Sequence, residues 1–335
     1  MKKFLALVLA MLMVLSLVAC GSKNDTPATP GSDPAAPAKK QSVTVATGST
    51  SANYYAIGGV LSTVLNDKLT LSELNVTSTG ASKANMQLLQ DGECQLAIAQ
   101  NDVSYYCYSG TALFEGETPY TDFSGVCAIY DETVQIFTLD PSIKTFSDLK
   151  GKTVSVGAAG SGDNFAADQI FKEYGMTFDD VNAVYQSYSD SAESIKDGKI
   201  DAAFCVSGAP TTALVDFAAT AGKPINIISL EPEHIENLMK DYSFYAKTTI
   251  EPGTYNGLNT PVDTVSIRAQ LVARNDLSED IVYELLTQMF ENLDALKAGH
   301  NKFANFDLQA ATDGVSIPYH PGAVKFFTEK GINVQ

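Results

Sequence analysis

The sequence predicts a two-lobed α/β fold with a cleft between the lobes. Three observations carry it. Short β-rich runs alternate with helical patterns, that order occurs twice along the chain, and nearly every strand ends in a turn of Gly, Ser, Thr, Asn or Gln.

The N-terminus reads as a targeting segment. Lys2 and Lys3 precede a nearly unbroken apolar run from Phe4 to Ala19. That run is short of the roughly 20 residues a membrane span needs and has the layout of a secretory signal. It ends Leu17-Val18-Ala19-Cys20-Gly21, a spelling that resembles a bacterial lipobox. Residues 1–19 are therefore expected to be a signal peptide, with Cys20 lipidated and anchoring the chain to the outside of the cell membrane. Residues 20–41 hold that cysteine and a Pro/Ala/Gly/Ser/Thr/Asp-rich stretch without apolar periodicity, expected to be a disordered linker.

The first α/β unit follows. Ser42 to Thr47 is a strand, ending in Gly48-Ser49-Thr50-Ser51. Tyr54, Ile57, Leu61, Val64 and Leu65 then recur at helical spacing. A strand at Leu74–Thr77 ends in Ser78-Thr79-Gly80, a helix runs from Ser82 to Gln90, and a strand at Gln95–Ala99 ends in Gln100-Asn101-Asp102. The second unit repeats this order. A strand begins at Thr153 and ends in Gly160-Ser161-Gly162-Asp163, and a helix carries Phe165, Ile170 and Phe171. A strand at Ala183–Tyr185 ends in Gln186-Ser187-Tyr188-Ser189, a short helix stops at Asp197-Gly198, and a strand at Ile200–Val206 ends in Ser207-Gly208-Ala209-Pro210. Such alternation predicts parallel sheets with right-handed crossovers. The tail adds a crossing strand, Val265–Val272, an amphipathic helix, Asp280–Leu296, and a last helix, Ala323–Lys330. Residues 42–135 with about 250–335 form lobe one, and 136–249 form lobe two.

Ligands of open α/β sheets sit beyond the carboxyl ends of the strands, and clefts between lobes are common sites. The polar turns lie at those ends. Gly160–Asp163 could dock an anion on backbone N–H groups at a helix start, or it could be a tight turn with Ser161 or Asp163 as cap. Asp163 opposes an anion unless it holds an ammonium or turns away. Ser49, Thr50, Asn53, Tyr54 and Tyr55 could read polar ends and cover a carbon chain, or serve capping and packing; one of the adjacent tyrosines should face the core. Asp102 could hold an ammonium or cap its helix, and Ser82 is equally a cap or a contact.

Catalysis finds little support. His234, His300 and His320 lack metal-ligand spacing, and no Gly-x-Ser-x-Gly elbow or Gly-Lys-Ser/Thr loop occurs. Asp179-Asp180 and Glu279-Asp280 read as helix starts. No cofactor, metal or enzymatic activity is expected. The net charge of −17, more negative by two once Lys2 and Lys3 leave, argues against nucleic acid as a partner. Cys94, Cys107, Cys127 and Cys205 form no CxxC pair. An oxidising compartment permits a disulfide, but the sequence does not identify one.

Thr47–Tyr55, Ser78–Asn85, Gln100–Asp102, Asp148–Lys152, Gly160–Gly162, Asp197–Phe204, Val206–Thr211 and Pro252–Tyr255 together resemble the TAXI receptors of tripartite ATP-independent (TRAP) transporters, from about Val43 to the C-terminus. The resemblance implies a two-lobed periplasmic-binding-protein-like fold (type II-like). It implies a small carboxylate or amino acid as ligand, glutamate-like or a 2-oxo acid, and TRAP membrane subunits, fused into one polypeptide, as partner. It also implies ligand contacts from the Gly48–Tyr55 turn, Ser82, Asn85, Gln100, Asp102, Tyr130, Glu132 and Ser161 to Asp163, with Ser207 to Thr211, Pro210 among them, completing the other wall. Two positions depart: the family usually has Gly where Ala81 stands, and often Thr where Asp163 stands. The alternatives are a receptor of an ATP-driven importer with the same architecture, an exported hydrolase, and an interaction protein whose cleft has decayed.

Overall fold

The computed structural model describes residues 39–335. The expected signal peptide, Cys20 and the linker up to residue 38 lie outside them.

In chain order the elements are β1 (Gln41–Ala46), α1 (Asn53–Leu65), β2 (Ser72–Thr77), α2 (Ser82–Gln90), β3 (Leu96–Gln100), α3 (Asn101–Ser109) and the long β4 (Phe123–Thr138). Then come β5 (Thr153–Ser155), α4 (Gly162–Glu173), β6 (Asn182–Val184), α5 (Tyr188–Lys196), β7 (Ala202–Ser207), α6 (Thr212–Thr220), β8 (Asn226–Ile227) and α7 (Pro232–Asp241). The tail holds β9 (Ala246–Ile250), β10 (Val262–Arg274), α8 (Glu279–Glu291), α9 (Leu293–Gly299) and α10 (Pro321–Glu329).

The expected β-α-β-α-β order is present in both units, and the lobes are two halves of one curled sheet. The strand order is β2-β1-β3-β10-β4-β7-β5-β6, with β8 beside β4 and β9 beside β10. Within each unit the strands are parallel, β1 to β2 and β3, β5 to β6 and β7. The expected parallel pairing holds within the units, and the expected crossing strand, Val265–Val272, lies within β10; the centre of the sheet is antiparallel. There β10 runs antiparallel to β3 and β4, and β4 antiparallel to β7. These two strands are long enough to serve both halves. The start of β4 pairs with β10, and its end, Thr133–Thr138, pairs with β7. The sheet therefore passes from lobe to lobe near Glu132, which pairs with Ile267.

Each half has apolar clusters on both sheet faces. Strand side chains alternate between faces, so neighbours on one strand feed different clusters. Ile136 packs with Phe171 and Phe204, whereas Phe137 packs with Leu214 and Phe217. In the first half Ile98 packs with Ile57 and Leu61, while Ala97 and Ala99 face Met86 and Leu89.

The helix expected over Asp280–Leu296 is two helices. Asn292, at φ −115° and ψ 27°, leaves helical geometry, and its side chain donates to the Gln288 carbonyl at 2.8 Å. That local bond competes with the helix ladder. Phe290, just before the break, stacks on Phe306 and Phe326. Among the described residues no helix is long and apolar enough to cross a membrane.

Candidate functional site

The turns at the strand ends of the two halves meet over a small polar cavity. Gly48, Asn53, Tyr54, Ser82, Gln100 and Glu132 line it from the first half; Gly162, Asp163, Tyr188 and Ser207 line it from the second. Its volume is about 30 Å³. An adjoining cavity of about 80 Å³ shares Ala52, Ala81, Asp163 and Tyr188 and extends to Ser49, Thr79, Ser161 and Ser187. A roomier groove of about 540 Å³ lies elsewhere, beside Phe290, Leu293 and Leu308. None of the polar strand-end turns lines that groove, so the convergent chemistry belongs to the smaller cleft.

Glu132 sits at the crossing point of β4 and is 2% exposed. Tyr54 Oη, from the first turn of α1, donates to its Oε2 at 2.8 Å, and Tyr130 Oη donates to its Oε1 at 2.8 Å. Burial, with Asp163 adding to it, pushes the Glu132 carboxyl up to about 8, against the opposing pull of Tyr54, Tyr130 and Gln100. Asp163 opens α4 and lies 2.6 Å from Tyr188 Oη. Burial pushes its carboxyl up to about 7, with Asp102 adding to the rise and Tyr188 opposing it. Asp102, in the first turn of α3, is 2% exposed; its Oδ1 accepts from the Val103 N–H at 2.7 Å, and burial raises it to about 7.

Gln100 ends β3. Its backbone N–H donates to Ser82 Oγ at 3.1 Å, so Ser82 braces β3 and does not cap α2. The Gln100 side chain is 2% exposed, and its Oε1 has no hydrogen-bond partner. The halves touch directly here. Asn53 Nδ2 donates across the cleft to Ser207 Oγ at 3.0 Å and to the Gly208 carbonyl at 3.3 Å. Lys302 Nζ reaches over to the Ala209 carbonyl at 2.7 Å, and burial lowers its pKa to about 8.

Ser161 is the cap of α4, its Oγ accepting from the Asn164 N–H at 3.1 Å, while Asp163 faces the cavity. Of the adjacent tyrosines, Tyr54 is buried yet brings its hydroxyl to Glu132, and Tyr55 is 36% exposed. Thr50 is exposed and, like Tyr55, lies outside both cavity linings. Asn85 is fully buried and spent internally: it donates to the Thr47 and Ile98 carbonyls and accepts from Thr79 Oγ1. Pro210, after a cis peptide bond, is half-buried beyond the linings, and Tyr130 reaches the cavity only through Glu132. Sequence reasoning missed Tyr188 and Lys302. The turn Gln186–Ser189 occupies the place in unit two that Ser78–Gly80 holds in unit one; that echo was the available signal for Tyr188. Lys302 follows α9 and carried no signal.

Among the described residues, Cys94, Cys107, Cys127 and Cys205 are buried free thiols, and no group of His, Cys, Asp and Glu is placed to hold a metal.

Residues 45–331 match the profile of the NMT1-like family. Solved structures with a similar course include PhnD1 from Prochlorococcus marinus (MIT 9301) in complex with methylphosphonate, at 11% identity and a TM-score of 0.53 over 79% of this chain and 90% of that one. A protein from Bordetella bronchiseptica RB50 is 13% identical with a TM-score of 0.50, over 87% and 82% of the two chains. The periplasmic aliphatic sulphonate binding protein SsuA from Escherichia coli is 14% identical with a TM-score of 0.45, over 79% and 78%. At these identities the likeness is one of fold.

Proposed function

The chain belongs to the NMT1-like family, and on that premise we propose that it is the extracytoplasmic solute-binding component of a membrane importer. It captures a small polar solute, a carboxylate or an amino acid, without transforming it. The observation that carries this reading is the buried cavity lined by polar side chains from both lobes, Gln100 and Glu132 on one side, Asp163 and Ser207 on the other. Residues 42–135 with about 250–335 would move against 136–249, bending where β4 and β10 cross between halves. Solute would settle on one wall, and closure would complete its hydrogen bonds from the other. The targeting segment supports export, with the lipid on Cys20 holding the chain at the membrane.

An ATP-driven importer is the partner we favour. The TRAP partner rests wholly on the TAXI resemblance, and the family match gives that resemblance no separate support. Reconstituted uptake separates the two: import that needs ATP and ignores an imposed sodium gradient supports the first, and the reverse result restores the second. The binding function itself is tested by calorimetry of refolded protein against amino acids, 2-oxo acids, dicarboxylates and methylphosphonate. A saturable heat with a raised melting temperature supports it; silence across the panel rejects it.

A further inference from the structure

The cavity is lined by two acids and by no lysine, arginine or histidine. Glu132 and Asp163 enter it from opposite lobes. Gln100 Oε1, buried beside them, has no partner, and neither does Asp102 Oδ2 behind it. Most of the donors at hand are committed, Tyr54 and Tyr130 to Glu132, Asn53 to Ser207 and Gly208, and Lys302 to the Ala209 carbonyl; the Ser82 and Ser207 hydroxyls and the Gln100 amide N–H are neutral donors and bring no positive charge.

Tyr188 adds a constraint on protons. Its single hydroxyl lies 2.6 Å from Asp163 Oδ2 and 2.9 Å from the Val206 carbonyl oxygen. A phenol has one proton to donate. Both contacts are satisfied together when Tyr188 donates to the carbonyl and Asp163, as a carboxylic acid, donates to the phenol oxygen. Like charges sharing a dry site favour the same outcome, since one of them keeps its proton.

We propose that this cavity holds the ammonium group of a small zwitterion, with Glu132 and Asp163 as carboxylate acceptors from the two lobes and Gln100 Oε1 as a third. The ammonium supplies the N–H donors and the positive charge that these groups lack. The solute's own carboxylate then lies in the adjoining cavity, where Ser161 and Ser187 cap α4 and α5 and Ser49 and Thr79 lie in the turns ahead of α1 and α2. The inference rests on the receptor reading and narrows its ligand class. It also sets this cleft apart from that of PhnD1, whose ligand, methylphosphonate, is an anion without an ammonium.

A proton exchange follows. The ionisable groups around the pair are Tyr54 on α1, Asp102 on α3, Tyr130 on β4, Tyr188 on α5, Cys205 on β7 and Lys302. Burial raises the tyrosines and the thiol far above neutrality, so they enter neutral; Asp102, raised to about 7, shares the titration of the pair, and Lys302 is already bonded away from the cavity. The arriving ammonium therefore expels protons from Glu132 and Asp163.

The test is calorimetry on refolded protein with the twenty L-amino acids, their 2-oxo acids, dicarboxylates and methylphosphonate. Each binder is repeated at pH 7 in phosphate and in Tris, whose ionisation heats differ. We expect an amino acid to bind, its 2-oxo counterpart to bind at least 100-fold more weakly, and protons to be released. Asp163→Asn should weaken the amino acid at least 10-fold and cut the proton release. The buffer comparison on the unaltered protein stands if that variant fails to fold. A 2-oxo acid, dicarboxylate or methylphosphonate binding as tightly as any amino acid, or amino-acid binding without proton release, would overturn the inference and leave the receptor reading standing. Silence from every compound would overturn both.

Discussion

Gly162 lies against Gln100 across the cleft: a Cβ atom on Gly162 would fall 1.7 Å from Gln100 Oε1. Gly162 belongs to α4 of one lobe and Gln100 ends β3 of the other, so a side chain at 162 has to displace the Gln100 amide from the cleft or part the lobes. Gly162→Ala should disturb the closed cleft in one of these ways. Its backbone is not in the left-handed region, so the substitution suits the first turn of a helix and should leave the melting temperature within about 2 °C. Solute affinity should fall at least tenfold, and if the lobes part, X-ray scattering should show a larger radius of gyration with solute present. Unchanged affinity and shape would refute a closure that depends on this contact.

Asn53 supplies the side-chain bridge from α1 to Ser207 and Gly208. Asn53→Ala removes it at a cost of about 1 kcal/mol, roughly fivefold in the closing equilibrium. Faster solute release in stopped-flow fluorescence is the expected result, with the association rate little altered.

Glu132 and Asp163 make stability depend on pH. Their folded carboxyls stand at about 8 and about 7, above their ordinary values of 4.5 and 3.8. Between those limits the folded protein holds protons that the unfolded chain has lost, so stability falls as pH rises. The solute-free protein should melt lower at pH 8 than at pH 5.5, by on the order of 5 °C. Asp163→Asn should flatten the profile, and a melting temperature that rises over this window would contradict the assignment.

Ala81 holds φ 69° and ψ −151°. That region is costly for any residue with a Cβ, by about 1–3 kcal/mol. Ala81→Gly should relieve it, less about 0.5–1 kcal/mol for the freer unfolded chain. A melting temperature raised by roughly 2 °C in scanning calorimetry is expected.

Burial pushes the Cys94, Cys107 and Cys127 thiols up to about 12, and Cys205 higher still. Thiols held protonated are poor nucleophiles. Ellman's reagent at pH 8 should find none of the four in the native protein and all four in guanidinium. Fast labelling of the native state would place at least one thiol in solvent.

Local pattern carried much of this protein. The alternation of β-rich runs and helical spacing placed α1, α2, α4 and α5 within a residue or two, since each is written in neighbouring residues. The polar strand ends marked the turns that line the cleft, Gln186–Ser189 included, although Tyr188 was not singled out there.

Tertiary structure decided what each polar group does. Asn85 and Ser82 look alike in sequence as rim residues, yet Asn85 is consumed by the Thr47 and Ile98 carbonyls and Ser82 by the Gln100 backbone. A side chain's partner can lie tens or hundreds of residues away, as Asn53 and Ser207 do, so composition at one turn cannot say whether a donor is spent. The same holds for the antiparallel centre of the sheet, where β10 joins β3 and β4 from more than a hundred residues downstream. It holds too for the charge of the cleft. Glu132 and Asp163 are ordinary acids in the sequence, and only burial together in one cavity, without a cation between them, turns them into groups that keep their protons near neutrality.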